Sequence, residues 1–150
     1  MECECITVIT TFVGLLIALI TIYIGLKQYK NENRFKKAAQ FFELRRRFKE
    51  NNDFTMIREK VMNESRIDDI TVIKVYDYVG FFEELQIAIN SNFIDEEMVY
   101  YLFGHYIIDF GESEFSKFIE DVNLWTLYNK LLERMKEIDT KDIDYNNLKF

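Results

Sequence analysis

Residues 6–26, ITVITTFVGLLIALITIYIGL, form an uncharged apolar run that constrains the chain more than any other feature. An α-helix rises about 1.5 Å per residue, so this run spans about 30 Å, the thickness of a bilayer's hydrocarbon core. A cleaved signal peptide has a basic start and a small-residue cleavage site, whereas this chain starts with Glu2 and Glu4 and shows no such site. The run therefore predicts a transmembrane helix rather than a signal sequence or the core helix of a soluble protein.

Basic residues follow the run directly, beginning with Lys27, Lys30 and Arg34. Positive charge beside a membrane span is retained in the cytoplasm. The pattern predicts a single-pass protein of the cell membrane, with residues 1–5 outside and the C-terminal domain in the cytoplasm.

Small and hydroxyl-bearing residues recur along the run at spacings of four, three, four, three and four. They are Thr7, Thr11, Gly14, Ala18, Thr21 and Gly25. This spacing places them on one face of the helix, where small side chains let helix backbones approach closely in lipid. The face predicts self-association into a homo-oligomer; the alternatives are a chance phase or a face that lines a pore. Cys3 and Cys5 could then cross-link neighbouring copies.

Residues 27–50 carry nine Lys/Arg and three Glu, and no breaker interrupts them, so they predict a basic juxtamembrane helix. Its candidate contacts for anionic lipid or another anion are Lys27, Lys30, Arg34, Lys37, Arg45, Arg46 and Arg47. For the three consecutive arginines, pairing with acidic neighbours inside the protein is the preferred interpretation. We expect the apolar side of this helix to dock on later helices. It consists of Phe35, Ala38, Ala39 and Phe42, then Phe41, Leu44 and Phe48.

The remaining chain predicts an acidic helical bundle over residues 51–138 and a polar tail over 139–150. The chain has no proline, five glycines and 16% aromatic residues, which favours long helices around large buried rings. The predicted fold class is all-α, with one N-terminal transmembrane helix continuing into a cytoplasmic bundle of about four to five helices.

Helix boundaries in the bundle follow from capping residues. A helix is predicted to begin at the Asn52-Asp53 cap, and a central core helix to run from Asp68-Asp69 to Asn90. Another helix should begin after Asp95 and end at Gly111. Residues 112–138 are predicted to form one long helix. Its predicted inner side is Phe115, Phe118, Ile119, Val122, Trp125, Tyr128, Leu132 and Met135.

The bundle sequence shows no pattern typical of a catalytic or metal-binding site. The single histidine, His105, has no cysteine near it in the sequence, so it predicts a packed or interfacial residue rather than a metal ligand. Glu83 and Glu84 are adjacent and should point to different faces, and Glu84 is expected to be buried against an arginine. We predict no catalytic residue, no metal site, no cofactor and no enzyme. Residues 51–150 carry ten basic and twenty-one acidic residues, which disfavours nucleic acid as a partner.

The stretch YDYVGFFEELQIAINSNFIDEEMVYYLFGHYIIDF resembles bacterial single-span membrane proteins known only as a domain of unknown function. The resembling features are the aromatic–Glu–Leu step at Phe82–Leu85, the loop and acidic helix start at Asn92–Glu97, and Phe103-Gly104. The resemblance implies a membrane-anchored, all-helical architecture over about residues 6–135. Through the gene context of such relatives, it also implies a hypothesis of bacterial antiviral defence.

Three functional hypotheses follow. The first is a membrane-tethered helical interaction or scaffold module whose partners are the lipid bilayer, further copies of itself and an unknown cytoplasmic protein. The second is a membrane-permeabilising effector, whose spans rearrange on a cytoplasmic signal and whose threonines face a pore. The third is a sensor of a nucleotide or other anionic ligand, bound through Arg45, Arg46 and Arg47.

Overall fold

The computed structural model describes residues 2–63, 71–120 and 123–141, with side chains described from residue 12 onward in these ranges. Every regular element in them is helical, which confirms the predicted all-α class. The elements are α1 (Glu2–Glu50), α2 (Asn52–Met62), α3 (Val72–Asn90), α4 (Glu96–Glu112), a 3₁₀ helix (Glu114–Ile119) and α5 (Thr126–Asp139). The chain divides into two compact units, Met1–Ala39 and Gln40–Phe150. Asp68, Asp69, Val122 and the tail from residue 142 lie outside the described residues.

Phe48, in the last turn of α1, lies at the centre of the aromatic core of the second unit. Its ring centroid lies 5.0 Å from that of Phe81 on α3, and 5.2 Å from those of Phe103 and Tyr106 on α4. Phe41, two turns earlier, also reaches Phe103, at 6.1 Å. The end of α1 is thus a structural part of the bundle, because aromatic pairs at these distances add to the stabilisation from burial.

α3 is the central helix of the second unit. It contacts α2, α4, the 3₁₀ helix and α5. Its interior positions are apolar except for Gln86, which is fully buried. The Gln86 Nε2 donates to Asn90 Oδ1 at 2.7 Å, and its Oε1 has no hydrogen-bond partner among the described residues.

The apolar residues in the C-terminal part of α1 differ in exposure. Phe41 and Phe48 are buried and Leu44 is half-buried, as expected from their positions on one face. Phe35, in the first unit, and Phe42, in the second, are more exposed, at 77% and 54%. Phe35 and Phe42 are seven residues apart and share a second face, about 100° around the helix from Phe41 and Phe48.

Two helix ends differ from the predicted ones. Asn51, rather than Asn52-Asp53, caps α2: its Oδ1 accepts from the backbone N–H groups of Asp53 at 2.9 Å and Phe54 at 3.1 Å. α4 continues past Gly111 to Glu112. Gly111 serves close packing instead, because a Cβ there would lie 2.7 Å from Leu132 Cδ2 on α5.

The predicted single helix over residues 112–138 is wrong, since the 3₁₀ helix and α5 are separate elements. Ser113 starts the 3₁₀ helix, and its Oγ accepts from the Phe115 N–H at 3.3 Å. Trp125 has a non-helical backbone (φ −112°, ψ 37°) and precedes α5. The predicted inner residues are nevertheless buried or half-buried where they are described.

Candidate functional site

The apolar part of α1 is exposed throughout its described length. From Phe12 onward, α1 is long and apolar enough to cross a membrane, and none of its most apolar 18-residue window is buried. The core helix of a soluble protein passes the same length test but is mostly buried. The described residues thus contain one candidate membrane span.

The small-residue face of this helix is open within the described chain. A Cβ added at Gly14 or Gly25 would meet nothing within 4 Å, and Ala18 and Thr21 are exposed. The Thr21 hydroxyl donates to the Ile17 carbonyl at 2.8 Å, so its polar group is satisfied inside its own helix and needs no water. The side chains of Thr7 and Thr11 lie outside the described residues, as do those of Cys3 and Cys5.

The predicted cationic residues fall into two groups. Lys27, Lys30 and Arg34 are exposed, and Lys37 is half-buried. The long aliphatic stems of the exposed Lys27, Lys30 and Arg34 carry their charged ends away from the helix backbone.

The consecutive arginines have three different environments. Arg46 donates to Glu43 at 2.5 Å and to Glu50 at 2.7 Å, both on its own helix. The hydrogen bond with Glu43 lowers the pKa of the exposed Glu43 carboxyl and raises that of Arg46. Arg47 pairs with Glu84 on α3. Arg45 has no ion-pair partner among the described residues and lies in a cleft instead.

This cleft, which we call the α1–α4 cleft, has a volume of about 420 Å³ and lies within the second unit. Its lining residues are Arg45, Phe48, Lys49, Tyr101, Leu102, Phe103, His105 and Tyr106. Helical spacing brings them together, since Arg45 and Lys49 are four residues apart on α1, as are Tyr101 and His105 on α4. The buried rings of Phe48 and Phe103 are close to perpendicular, at 87°.

Positive charge dominates the α1–α4 cleft. Arg45 and Lys49 line it, and no carboxylate of the described residues does. Arg58 adds a further charge close by: its guanidinium lies 4.5 Å from the Phe48 ring centroid and 5.6 Å from that of Tyr106. Arg58 Nη1 also donates to the Phe48 carbonyl at 2.5 Å, where the negative end of the α1 dipole favours a cation.

His105 is exposed at the cleft, and its ring centroid lies 3.6 Å from that of Tyr106. In the described part of the chain, no three His, Cys, Asp or Glu side chains converge on a point that could hold a metal ion. Sequence reasoning named Arg45 but missed Lys49, Tyr101 and Tyr106. The signal available was the pair of four-residue spacings, which becomes informative only once α1 and α4 are known to be neighbours.

Glu83 and Glu84 interact with different helices. Glu83 Oε1 accepts from the backbone N–H of Tyr128, in the first turn of α5, at 3.4 Å. The pairing of Glu84 with an arginine is confirmed by Arg47, but the expected burial is wrong, because the Glu84 side chain is 51% exposed. Both carboxylates therefore have structural partners.

The family whose description is "Domain of unknown function (DUF4760)" matches residues 8–138. No match was found among curated proteins or among solved structures.

Proposed function

Since the chain belongs to the DUF4760 family, a family of unknown function, we propose from its structure that it is a membrane-tethered helical interaction module. In this proposal the apolar part of α1 spans the cell membrane once. The second unit lies in the cytoplasm, where it binds a partner protein.

The exposure of the apolar helix carries the proposal. Leaving such a helix in water is costly, since about 25 cal/mol is lost for each Å² of apolar surface left exposed. Lipid is a solvent that would cover this surface on all sides. The cations that follow at Lys27, Lys30 and Arg34 support a cytoplasmic location for the second unit.

Self-association belongs to the same proposal. The face formed by Gly14, Ala18, Thr21 and Gly25 is free of bulky side chains over its described length. Such faces allow helices in lipid to gain van der Waals contact along their backbones.

Extraction of membranes tests the tether. The wild-type chain should stay in the membrane fraction after urea or carbonate washing and leave it only with detergent. Leu16→Arg combined with Ile20→Arg should shift the chain to the soluble or aggregated fraction, because each arginine at the centre of a span costs about 2.5–3.5 kcal/mol.

The control is Ile87→Arg, at an exposed position of α3 in the second unit. It should leave the chain in the membrane fraction. Release of the wild-type chain by washing, or equal behaviour of the two arginine variants, contradicts the proposal. Loss of membrane potential on expression would instead favour a permeabilising effector.

A further inference from the structure

We propose that the α1–α4 cleft binds a nucleotide-class ligand, with Arg45 and Lys49 holding its phosphate and Tyr101 and Tyr106 contacting its planar base. This inference goes beyond the membrane tether and does not depend on it, because the cleft lies entirely within the second unit.

The first argument is the charge left over by the ion pairs. Arg46 and Arg47 are neutralised by glutamates, whereas Arg45 and Lys49 have no ion-pair partner in the described ranges. They share a cleft that no carboxylate of the described ranges lines, in a part of the chain with a large acidic excess. Adjacent cations repel each other, so an arrangement of this kind is stabilised by an anion. Phosphate suits it because arginine donates to phosphate in a bidentate manner.

The second argument is the aromatic lining. Tyr101 is 56% exposed and lines the cleft together with His105 and Tyr106, whose ring centroids lie 3.6 Å apart. Stacking of a base on an aromatic side chain contributes about 1–3 kcal/mol per base and tolerates any base. An inorganic anion alone would make no use of these rings.

The third argument is size. Pockets for small organic ligands have volumes of about 300–1,000 Å³. The α1–α4 cleft, at about 420 Å³, falls at the lower end of that range. Because its charged lining is basic, it suits an anion the size of a mononucleotide and not a metal cation.

Fluorescence titration tests the proposal. The full chain is placed in nanodiscs of neutral phosphatidylcholine, and the probe is ATP labelled with N-methylanthraniloyl (mant). Saturable binding that unlabelled ATP displaces is expected. Arg45→Ala and Lys49→Ala should each weaken it about tenfold, since a hydrogen bond to a charged group is worth about 1.5–3 kcal/mol.

Arg46→Ala is the matched control, because Arg46 is adjacent, exposed and already paired with Glu43 and Glu50. It should leave the affinity unchanged. Lys49 is exposed, so Lys49→Ala keeps the test valid even if the half-buried Arg45 is needed for folding.

A separate variant tests the contact between Tyr101 and the base. Tyr101→Ala should weaken binding of mant-ATP several-fold and leave competition by inorganic phosphate unchanged. The proposal is overturned if mant-ATP shows no saturable binding, or if Lys49→Ala binds as well as wild type. It is also overturned if inorganic phosphate or glycerol 1-phosphate displaces the probe as strongly as ATP, since that would assign the cleft to a simple anion or a lipid headgroup.

Discussion

At the residue scale, neighbouring side chains in this chain repeatedly have unlike roles. Arg45 lines a cleft, whereas Arg46 and Arg47 are paired with glutamates. Glu83 accepts from the first turn of α5, and Glu84 forms a half-exposed ion pair. On a helix, successive side chains point about 100° apart, so residues adjacent in sequence contact different elements.

Glu83→Ala should destabilise the second unit more than Glu84→Ala. Trp125, at the N-terminal cap position of α5, makes no capping hydrogen bond with its side chain, so Glu83 takes on that role. Loss of a cap costs about 1 kcal/mol, whereas an exposed ion pair contributes less than about 1 kcal/mol. Urea unfolding of the full chain in detergent micelles, followed by the fluorescence of the single Trp125, measures both variants. Equal destabilisation would contradict the assignment.

The stability of the second unit should fall at alkaline pH because of Tyr78. Burial raises the pKa of Tyr78 well above its ordinary value, with Arg58 opposing the shift. A group whose folded-state pKa is raised contributes full stability below its ordinary pKa, about 10 for tyrosine, and loses it as the pH rises further. Tyr78→Phe should make the decline in melting temperature above pH 10 shallower. Tyr128, whose pKa burial also raises, should contribute to the decline that remains.

At the element scale, the buried ring of Trp125 packs the segment that leads into α5. Trp125 is 8% exposed, and its ring centroid lies 5.2 Å from that of Tyr76. Trp125→Ala should lower the free energy of unfolding by about 3–5 kcal/mol, because a large buried ring leaves a cavity. Thermal loss of helical circular dichroism would show it. An unchanged melting temperature would mean that the ring contributes no packing.

The small-residue face of α1 should control self-association. Gly14→Leu combined with Ala18→Leu should weaken it, since bulk on this face separates the helix backbones. Oxidative cross-linking through Cys3 and Cys5 in membranes measures the effect. Leu15→Ala combined with Leu19→Ala, on another face, should leave cross-linking unchanged. Cross-linking that persists in the Gly14→Leu, Ala18→Leu variant would count against this face.

The long elements could be predicted from the sequence, and the break near Trp125 could not. α3 and α4 follow from their apolar residues and flanking breakers. Between the 3₁₀ helix and α5, however, apolar residues continue at helical spacing, and neither proline nor glycine marks the break. The cleft was equally hidden, because it joins Arg45 and Lys49 to residues more than fifty positions away along the chain, and only tertiary packing brings them together.

At the scale of the whole molecule, α1 contributes to both compact units. Its apolar part is the candidate membrane span, and its last turns supply Phe41 and Phe48 to the core of the second unit. A fragment cut at residue 50 would remove both rings from that core. Residues 27–50, which follow the candidate span, belong to the same helix α1 and contain no glycine or proline.

The side of the membrane on which each end of the chain lies tests the central claim most directly. Cys3 and Cys5 are the only cysteines, so a membrane-impermeant maleimide with an impermeant reductant should label them in intact spheroplasts. In a Cys3→Ser, Cys5→Ser, Thr140→Cys variant, the exposed position 140 should react only after lysis. Labelling of the Thr140→Cys variant in intact spheroplasts, or labelling of the wild-type cysteines only after lysis, would contradict the account.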